Sequence, residues 1–401
     1  MIAARYSHRI GIALYSVTLF FTLCGLFIVP SGQHYLSNLL VLSSFVGVFN
    51  FFVGRGDSCG LTEKKLYMCV LTYIVAISIS RLVHDDDSWI IRNSLYVLVF
   101  FLVMPRERVL VEAFKLGAFC GGIAIGFLSI WQFHSGMLRV EGFTNAILFA
   151  QGALILAILN VFFAQESSRN LTKYGYFISS IFAISAIYLS QSRGVWLALT
   201  VVVIYFIFIK AIKNPVKYFI WLLILSCLLA VVYYESDILR VRIHESISEV
   251  NMMESNNYTS SWGLRLMAWR SAWAGFVEYP LLGVGLDGFK TIQQQQLLDG
   301  IVDSYYVNYG MYHAHNQFMQ NMVVRGVLGL IAAFAILVYP MVFFWQKSNL
   351  MSVGFIVTLG IFICALTDVP IEHQNSLYIY LISLFFICFI NENKAIEMVS
   401  S

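Results

Sequence analysis

The chain has 401 residues, 59% of them hydrophobic and only 12% charged, whereas a soluble protein carries roughly twice that charged fraction. Apolar runs of membrane-spanning length recur from one end to the other, which excludes a soluble enzyme and points to an all-α polytopic membrane protein with membrane lipids, and no nucleic acid, as its surroundings. The net charge of +3 decides little, because in membranes the distribution of charge matters more than its sum.

In chain order the sequence predicts about twelve transmembrane helices, near 10–29, 35–54, 65–80, 90–104, 109–133, 144–164, 173–190, 194–212, 216–234, 317–346, 350–368 and 375–391. The first run is long and lacks a small-residue cleavage site, so it reads as a retained span. Cys59 lies in a short polar loop and the other cysteines in apolar runs, so neither a disulfide framework nor a thiolate metal site is expected. Lysine and arginine crowd alternate connections (Arg9, Lys64 and Lys65, Arg106 and Arg108, Lys210 and Lys217), while the intervening turns hold little more than Arg81, Arg139 and Arg193. That bias places both termini in the cytoplasm and the long polar segment 235–316 outside. Three regions follow: nine helices in 1–234, the long external loop 235–316, and three helices with a cytoplasmic tail in 317–401.

The candidate chemistry lies on the external side. Asp85-Asp86-Asp87 contains an Asp-x-Asp pair of the kind that can hold a divalent cation, weighed against a plain acidic loop that helps set topology. Arg139, beside Glu141 and Gly142, is a cationic position after the fifth span. Arg193, in LSQSRGVWLAL, stands at a very short external turn. It fits equally a headgroup-facing arginine and an anion clamp, since guanidinium binds phosphate bidentately. Within the loop, Ser261 is placed to cap a helix with the apolar stripe Leu266, Trp269, Trp273, Phe276 and Val277, which Trp262, Trp269 and Trp273 suit to a lipid interface. Arg265 lies in its first turns, on the less apolar side: by itself it reads as an exposed arginine of an interfacial helix, though amide dipoles and a guanidinium there together make a site for anions. Tyr279-Pro280 ends this helix, Gly283 and Gly285 turn the chain, and the loop reads as a lid over the membrane face. Arg270 and Lys290 read as solvated.

HAHNQFMQNMVVRG, residues 313–326, is where the loop runs back into an apolar span. A titratable imidazole at a membrane boundary, with Arg325 turns deeper, is costly for a mere anchor. His313 and His315 are two residues apart, which points them to different sides in either regular backbone. With no carboxylate or third ligand nearby in sequence they make a poor metal pair, so a neutral imidazole reads as a general base. Asp368, at the external end of the eleventh span, fits an orienting role.

QSRGVWLAL at 191–199, EYPLLGVGLDGF at 278–289 and HNQFMQNMVVRGV at 315–327 together resemble the O-antigen ligase/polymerase superfamily. The last is similar to the ligase signature of His, then Asn, Ser or Gln, nine residues and Gly: here His315, Asn316 and Gly326, followed by Val327 where Leu, Thr or Tyr is usual. The motif-bearing resemblance covers about 189–330, and Asp368 is similar to an acidic position that ligases carry in the penultimate span. The resemblance implies a bacterial inner-membrane glycosyltransferase of the GT-C type that uses no metal or other cofactor and inverts the anomeric centre. It implies an undecaprenyl-pyrophosphate-linked O-antigen as donor and lipid A–core as acceptor on the periplasmic side. On that reading Arg193, Arg265 and Arg139 stabilise the leaving pyrophosphate and His315 takes the acceptor proton. His313, Asn316 and Asp368 complete the site.

Three rivals stand beside the ligase. An O-antigen polymerase uses the same donor but another lipid-linked glycan as acceptor. A protein O-oligosaccharyltransferase is often longer, with an added C-terminal region. A transporter of lipid-linked glycan predicts polar residues at mid-membrane in paired broken helices. Only Lys115 and Arg325 point that way.

Overall fold

The computed structural model describes residues 2–55, 61–212, 214–345 and 351–400, and Cys59 falls outside them. Among these residues the protein is all-helical, as lipid requires of a backbone that must satisfy its own polar groups. The helices are α1 (Ile2–Cys24), α2 (Gly32–Asn50), α3 (Leu61–His84), α4 (Trp89–Leu102), α5 (Arg108–His134), α6 (Ala146–Glu166), α7 (Asn170–Leu189), α8 (Arg193–Ala211) and α9 (Pro215–Glu235). The loop segment follows as α10 (Asp237–Glu254), α11 (Ser261–Glu278), α12 (Leu286–Leu298) and α13 (Ser304–Tyr309). The chain closes with α14 (Gln317–Ala333), α15 (Tyr339–Trp345), α16 (Met351–Ala365) and α17 (Gln374–Ser400), a π turn joining α14 to α15.

Each of the twelve apolar segments read from the sequence is helical. Nine of the described helices, counting α14–α15 as one, are long and apolar enough to cross a membrane; α4 and α16 are apolar but shorter, and α7 belongs to neither group. Helices α6 and α17 are buried on nearly every side, which suits a helix apolar all round. Around them α5 stacks Phe114 on Phe386 with ring centroids 4.3 Å apart, and α4 stacks Phe101 on Phe385 at 5.1 Å. At the other extreme, none of the described residues of α9 is buried, and it packs chiefly along α8 and α10.

The segment 235–316 holds four helices where the sequence delineated one. The cap of α11 is Ser260, whose hydroxyl accepts from the Gly263 amide, one residue ahead of the Ser261 expected. Its small-residue face, with Ala268, Ala272 and Gly275, packs inward, while Leu266, Trp273 and Val277 of the expected stripe point outward. Small residues let α11 approach α14 closely, and the large apolar side chains are left on the outer surface.

That approach is fixed at a break in α14. Gly326 has φ 60° and ψ −149°, a region open essentially to glycine alone. The helix there cannot close its own ladder, so the carbonyls of Val323 and Val324 turn outward. They accept from the amides of Val284 and Gly285 at 2.9 and 3.0 Å, and the Val327 amide donates to the Pro280 carbonyl at 2.8 Å. Gly283 and Gly285 take positive φ to present those amides. The two motifs EYPLLGVGLDGF and HNQFMQNMVVRGV are therefore one structural unit. The acidic run after α3 serves the same unit. Asp86 is buried, accepts from Ser80 Oγ at 2.6 Å and from the Leu286 amide at the start of α12 at 2.7 Å, and His84 Nε2 reaches the Leu282 carbonyl at 3.2 Å. These contacts give Asp86 a structural role, while the Asp-x-Asp pair itself is Asp85 and Asp87.

The two intramembrane cations are also paired. Lys115 lies 3.7 Å from Glu112, one turn away. Arg325 is 1% exposed and grips Glu372 through two bonds, 2.6 and 3.3 Å, with Asn321 Oδ1 at 2.9 Å and the Tyr73 hydroxyl donating to the same carboxylate at 3.1 Å. This network ties α3, α14 and the turn after α16 together, and it removes the polar signal that favoured a transporter. Breaking one partner of such a pair costs about 3–5 kcal/mol, while apolar replacement of both is near neutral. Arg325→Met is therefore expected to lower the thermal midpoint of the purified protein well below that of Arg325→Met/Glu372→Met. Gly326→Ala would drive a Cβ into the Leu281 carbonyl on top of a strained backbone, about 3 kcal/mol or more. Alanine at Gly136, where φ is also positive but the surroundings are open, should lower the midpoint less, and equal losses would refute the packing argument.

Candidate active site

Four helix ends meet under α10–α13. Helix α8 begins with Arg193, α14 begins two residues after His315, α16 ends three residues before Asp368, and the second turn of α6 carries Gln151. At their junction a cavity of ≈540 Å³ is lined by Arg139, Arg193, Arg265 and His315, together with Gln151, Gln191, Arg242, Glu245, Glu249, Tyr305 and Tyr309. Residues more than a hundred positions apart in sequence thus share one chamber.

The two histidines do not diverge as their spacing predicted. His315 takes φ 46°, neither extended nor helical, and the turn folds the rings to a centroid distance of 4.1 Å. Gln320 fastens this turn by accepting from the Ala314 amide at 2.8 Å. Asn316 caps α14, its Oδ1 accepting from the Phe318 and Met319 amides, and its Nδ2 donates to the Leu366 carbonyl at 3.2 Å. The asparagine of the motif therefore joins the histidine turn to the turn bearing Asp368. Asp368 is 3% exposed and lies behind His315, Oδ1 to Nδ1 3.4 Å: close enough for electrostatic attraction, though not a formed hydrogen bond. Gln151 Nε2 donates to Asp368 Oδ2 at 3.2 Å and is itself held by the Ser376 hydroxyl at 2.6 Å. His315 Nδ1 thus faces the carboxylate, which leaves Nε2 for other partners. Burial, reinforced by the His315 ring, pushes the His313 imidazole down to about 4, so it is neutral at neutral pH.

The sequence argument against a metal, that no third ligand lies near, fails in three dimensions. His313, His315 and Asp368 each offer an atom within 4.8 Å of the others, a donor set that suits a divalent cation. The arginines of the adjoining cavity oppose any further positive charge there.

Those arginines are held differently. Arg193 donates to Glu249 at 2.9 Å and to the Ser246 hydroxyl at 3.0 Å, both on α10. Glu249 also accepts from the Trp262 amide at 3.3 Å, at the start of α11. Arg242 donates to Gln191 at 3.0 Å and Glu245 at 2.7 Å. Arg139 turns to the Ser190 carbonyl at 3.2 Å. Arg265 lies over the Trp262 ring, 5.7 Å from its centroid. Burial lowers the Arg139 guanidinium below its ordinary value and the neighbouring Arg242 and Arg193 add to the effect. Burial likewise lowers Arg265, and Asp368 offsets part of it. Crowded, partly desolvated cations of this kind favour an anionic ligand. Glu245 and Glu249, one helical turn apart, now supply that charge.

Arg242, Glu245 and Glu249 were not singled out in the sequence, because on a polar loop helix they look solvated. Gln151 did carry a signal: it is a lone amide in the otherwise apolar run AILFAQGALILAIL, where a polar group is expensive.

Residues 178–334 match the O-antigen ligase family. The matched stretch contains Arg193, Arg265, His313, His315, Asn316 and Gly326, whereas Arg139 and Asp368 lie outside it: only the fold brings Arg139 to the cavity wall and Asp368 behind His315. An uncharacterized protein of Haemophilus influenzae is 27% identical over 350 residues, 83% of this chain and 84% of its own length. The family match supports an activity of the O-antigen ligase or polymerase kind, and the apolar helices a multi-pass membrane protein.

If Glu249 fills the anion position beside Arg193, removing its charge should free the arginine for a ligand. Glu249→Gln is expected to bind inorganic pyrophosphate about 3- to 10-fold more tightly than the wild type by calorimetry, the gain of roughly one charge-assisted bond. Arg193→Ala should bind it more weakly. Weaker binding by Glu249→Gln would mean that the carboxylate only braces the lid.

Proposed function

We propose that this protein is an O-antigen ligase of the bacterial inner membrane, transferring O-antigen polysaccharide from undecaprenyl pyrophosphate to a sugar hydroxyl of lipid A–core. The observation that carries the reading is the shared cavity: His315, backed by Asp368, opens on the same chamber as Arg139, Arg193 and Arg265. The family match narrows the chemistry to glycosyl transfer. In this reading the chain crosses the membrane twelve times in a GT-C-type arrangement, both termini are cytoplasmic, and 235–316 is a periplasmic lid between membrane regions 1–234 and 317–401.

The acceptor hydroxyl oxygen attacks the anomeric carbon from the face opposite the pyrophosphate. Its proton passes to His315 Nε2 as the new C–O bond forms, and the bond to the phosphate oxygen breaks with its electron pair, so configuration inverts. Asp368, facing Nδ1, orients the ring and stabilises the imidazolium. Undecaprenyl pyrophosphate leaves with one more negative charge on its terminal phosphate, which Arg193 and Arg265, aided by Arg139, neutralise in place of a metal. Neutral His313 packs against His315 and keeps it from turning. Donor binding exchanges Glu249 for phosphate at Arg193, which couples substrate arrival to movement of α10.

Purified protein given undecaprenyl-pyrophosphate O-antigen and lipid A–core should build ladders on the core in the presence of EDTA. His315→Ala should lose about 10²–10⁴-fold in rate, the worth of a general base, and Arg193→Ala about 10²–10³-fold. Longer undecaprenyl-linked glycans with unmodified core would identify a polymerase, and loss of activity in EDTA would overturn the metal-independent mechanism.

A further inference from the structure

Helix α13 presents an arrangement that the transfer chemistry above leaves unused. Tyr305 and Tyr309 both line the cavity that holds Arg193 and His315, yet remain 45% and 62% exposed. They are four residues apart and so share a helix face, and their ring centroids lie 6.3 Å apart with planes tilted by 31°. Between them in sequence, Tyr306 points the other way and is fully buried, among Leu264, Met267 and Met311. The short helix is fixed at both ends, by Asp303 accepting from the Tyr306 amide at 2.7 Å and by Gly310 in the left-handed region. Tyr306 thus anchors α13 on α11, the helix that carries Arg265, and the two outer tyrosines are held as a stiff aromatic shelf beside the anion site.

We infer that Tyr305 and Tyr309 form a saccharide-binding subsite that stacks a pyranose ring of the substrate glycan at the wall of the cavity. The inference rests on the glycosyl-transfer reading and adds to it a place where sugar rather than phosphate is recognised. An aromatic face carries partial negative charge, and the C–H-rich face of a pyranose presents partial positive charge to it. Tyrosine gives this contact area at low conformational cost, with two χ angles. A chamber of ≈540 Å³ lies in the range of sites that enclose drug-sized ligands, larger than a diphosphate alone requires. Exposed rings held rigidly at such a chamber gain by covering themselves with ligand.

The test is steady-state transfer by the full-length protein with Tyr305→Ala, Tyr309→Ala and the corresponding phenylalanine variants, the melting temperature of each serving as the check on folding. Because both side chains are exposed, the alanine variants should melt as the wild type does. They should raise KM for a glycan substrate about 3- to 10-fold, and phenylalanine should restore it, since stacking does not need the hydroxyl. A rise confined to the donor places a donor ring on the shelf, and one confined to lipid A–core places an acceptor ring there. Unchanged KM for both substrates, or phenylalanine variants as impaired as alanine, would overturn the subsite while leaving the transferase standing. If the wild type transfers no glycan, the ligase reading fails. Saturation-transfer NMR with a free pyranose oligosaccharide then decides the subsite separately: signal lost in the double alanine variant supports it, and signal equal to wild type refutes it.

Discussion

The architecture depends on a broken helix that another segment repairs. At Gly326 the backbone of α14 leaves helical geometry, and the Val284 and Gly285 amides and the Pro280 carbonyl complete the bonds the helix forgoes. In an apolar setting unsatisfied backbone groups cost several kcal/mol each, so the loop 280–285 is pinned where it lies. Everything that forms the cavity roof follows from this. Helix α11, immediately before the loop, is drawn against α14, α12 starts from it with its first amide held by Asp86, and Arg265 and Tyr305 are carried into position.

Electrostatics shapes the floor and walls. Four arginines, 139, 193, 242 and 265, open on one chamber, and two of them are answered by Glu245 and Glu249 from α10. The deeper cation, Arg325, is different in kind: it is shut away from the cavity with Glu372 and ties the turn after α16 to α14. That tie holds Asp368 near His315, so a structural ion pair and a chemical one share the same short turn. Against an apolar replacement a buried pair of this type adds little net stability, and here it fixes the turn beside the histidine.

Much of this was legible in the chain. Apolar runs located the long apolar helices but not the polar α10, and the cluster of polar residues between 313 and 326 marked the place where the bundle meets the loop. His315 stood out as a titratable group costly at a membrane boundary, Arg193 and Arg265 only as candidate anion-binding cations, and all three line one cavity. The histidine pair was misread because period arguments assume regular backbone, and His315 sits in a left-handed turn. Asn316 was read as part of the site, and the structure shows its side chain capping α14, a role the motif alone did not reveal. Within the acidic run at 85–87, Asp86 holds the first amide of a helix two hundred residues away, a contact no local pattern announces.

What the sequence determined by itself was the membrane class, the helical content and the residue types available for chemistry, because these rest on composition and on local periodicity. Only the tertiary structure decided which of those residues lie together. Asp368 behind His315, Gln151 behind Asp368, Glu249 on Arg193 and the tyrosine shelf beside them all join elements far apart in the chain. No local pattern encodes such pairings: they arise when helix ends are brought to one face and when a break in one helix is closed by the backbone of another.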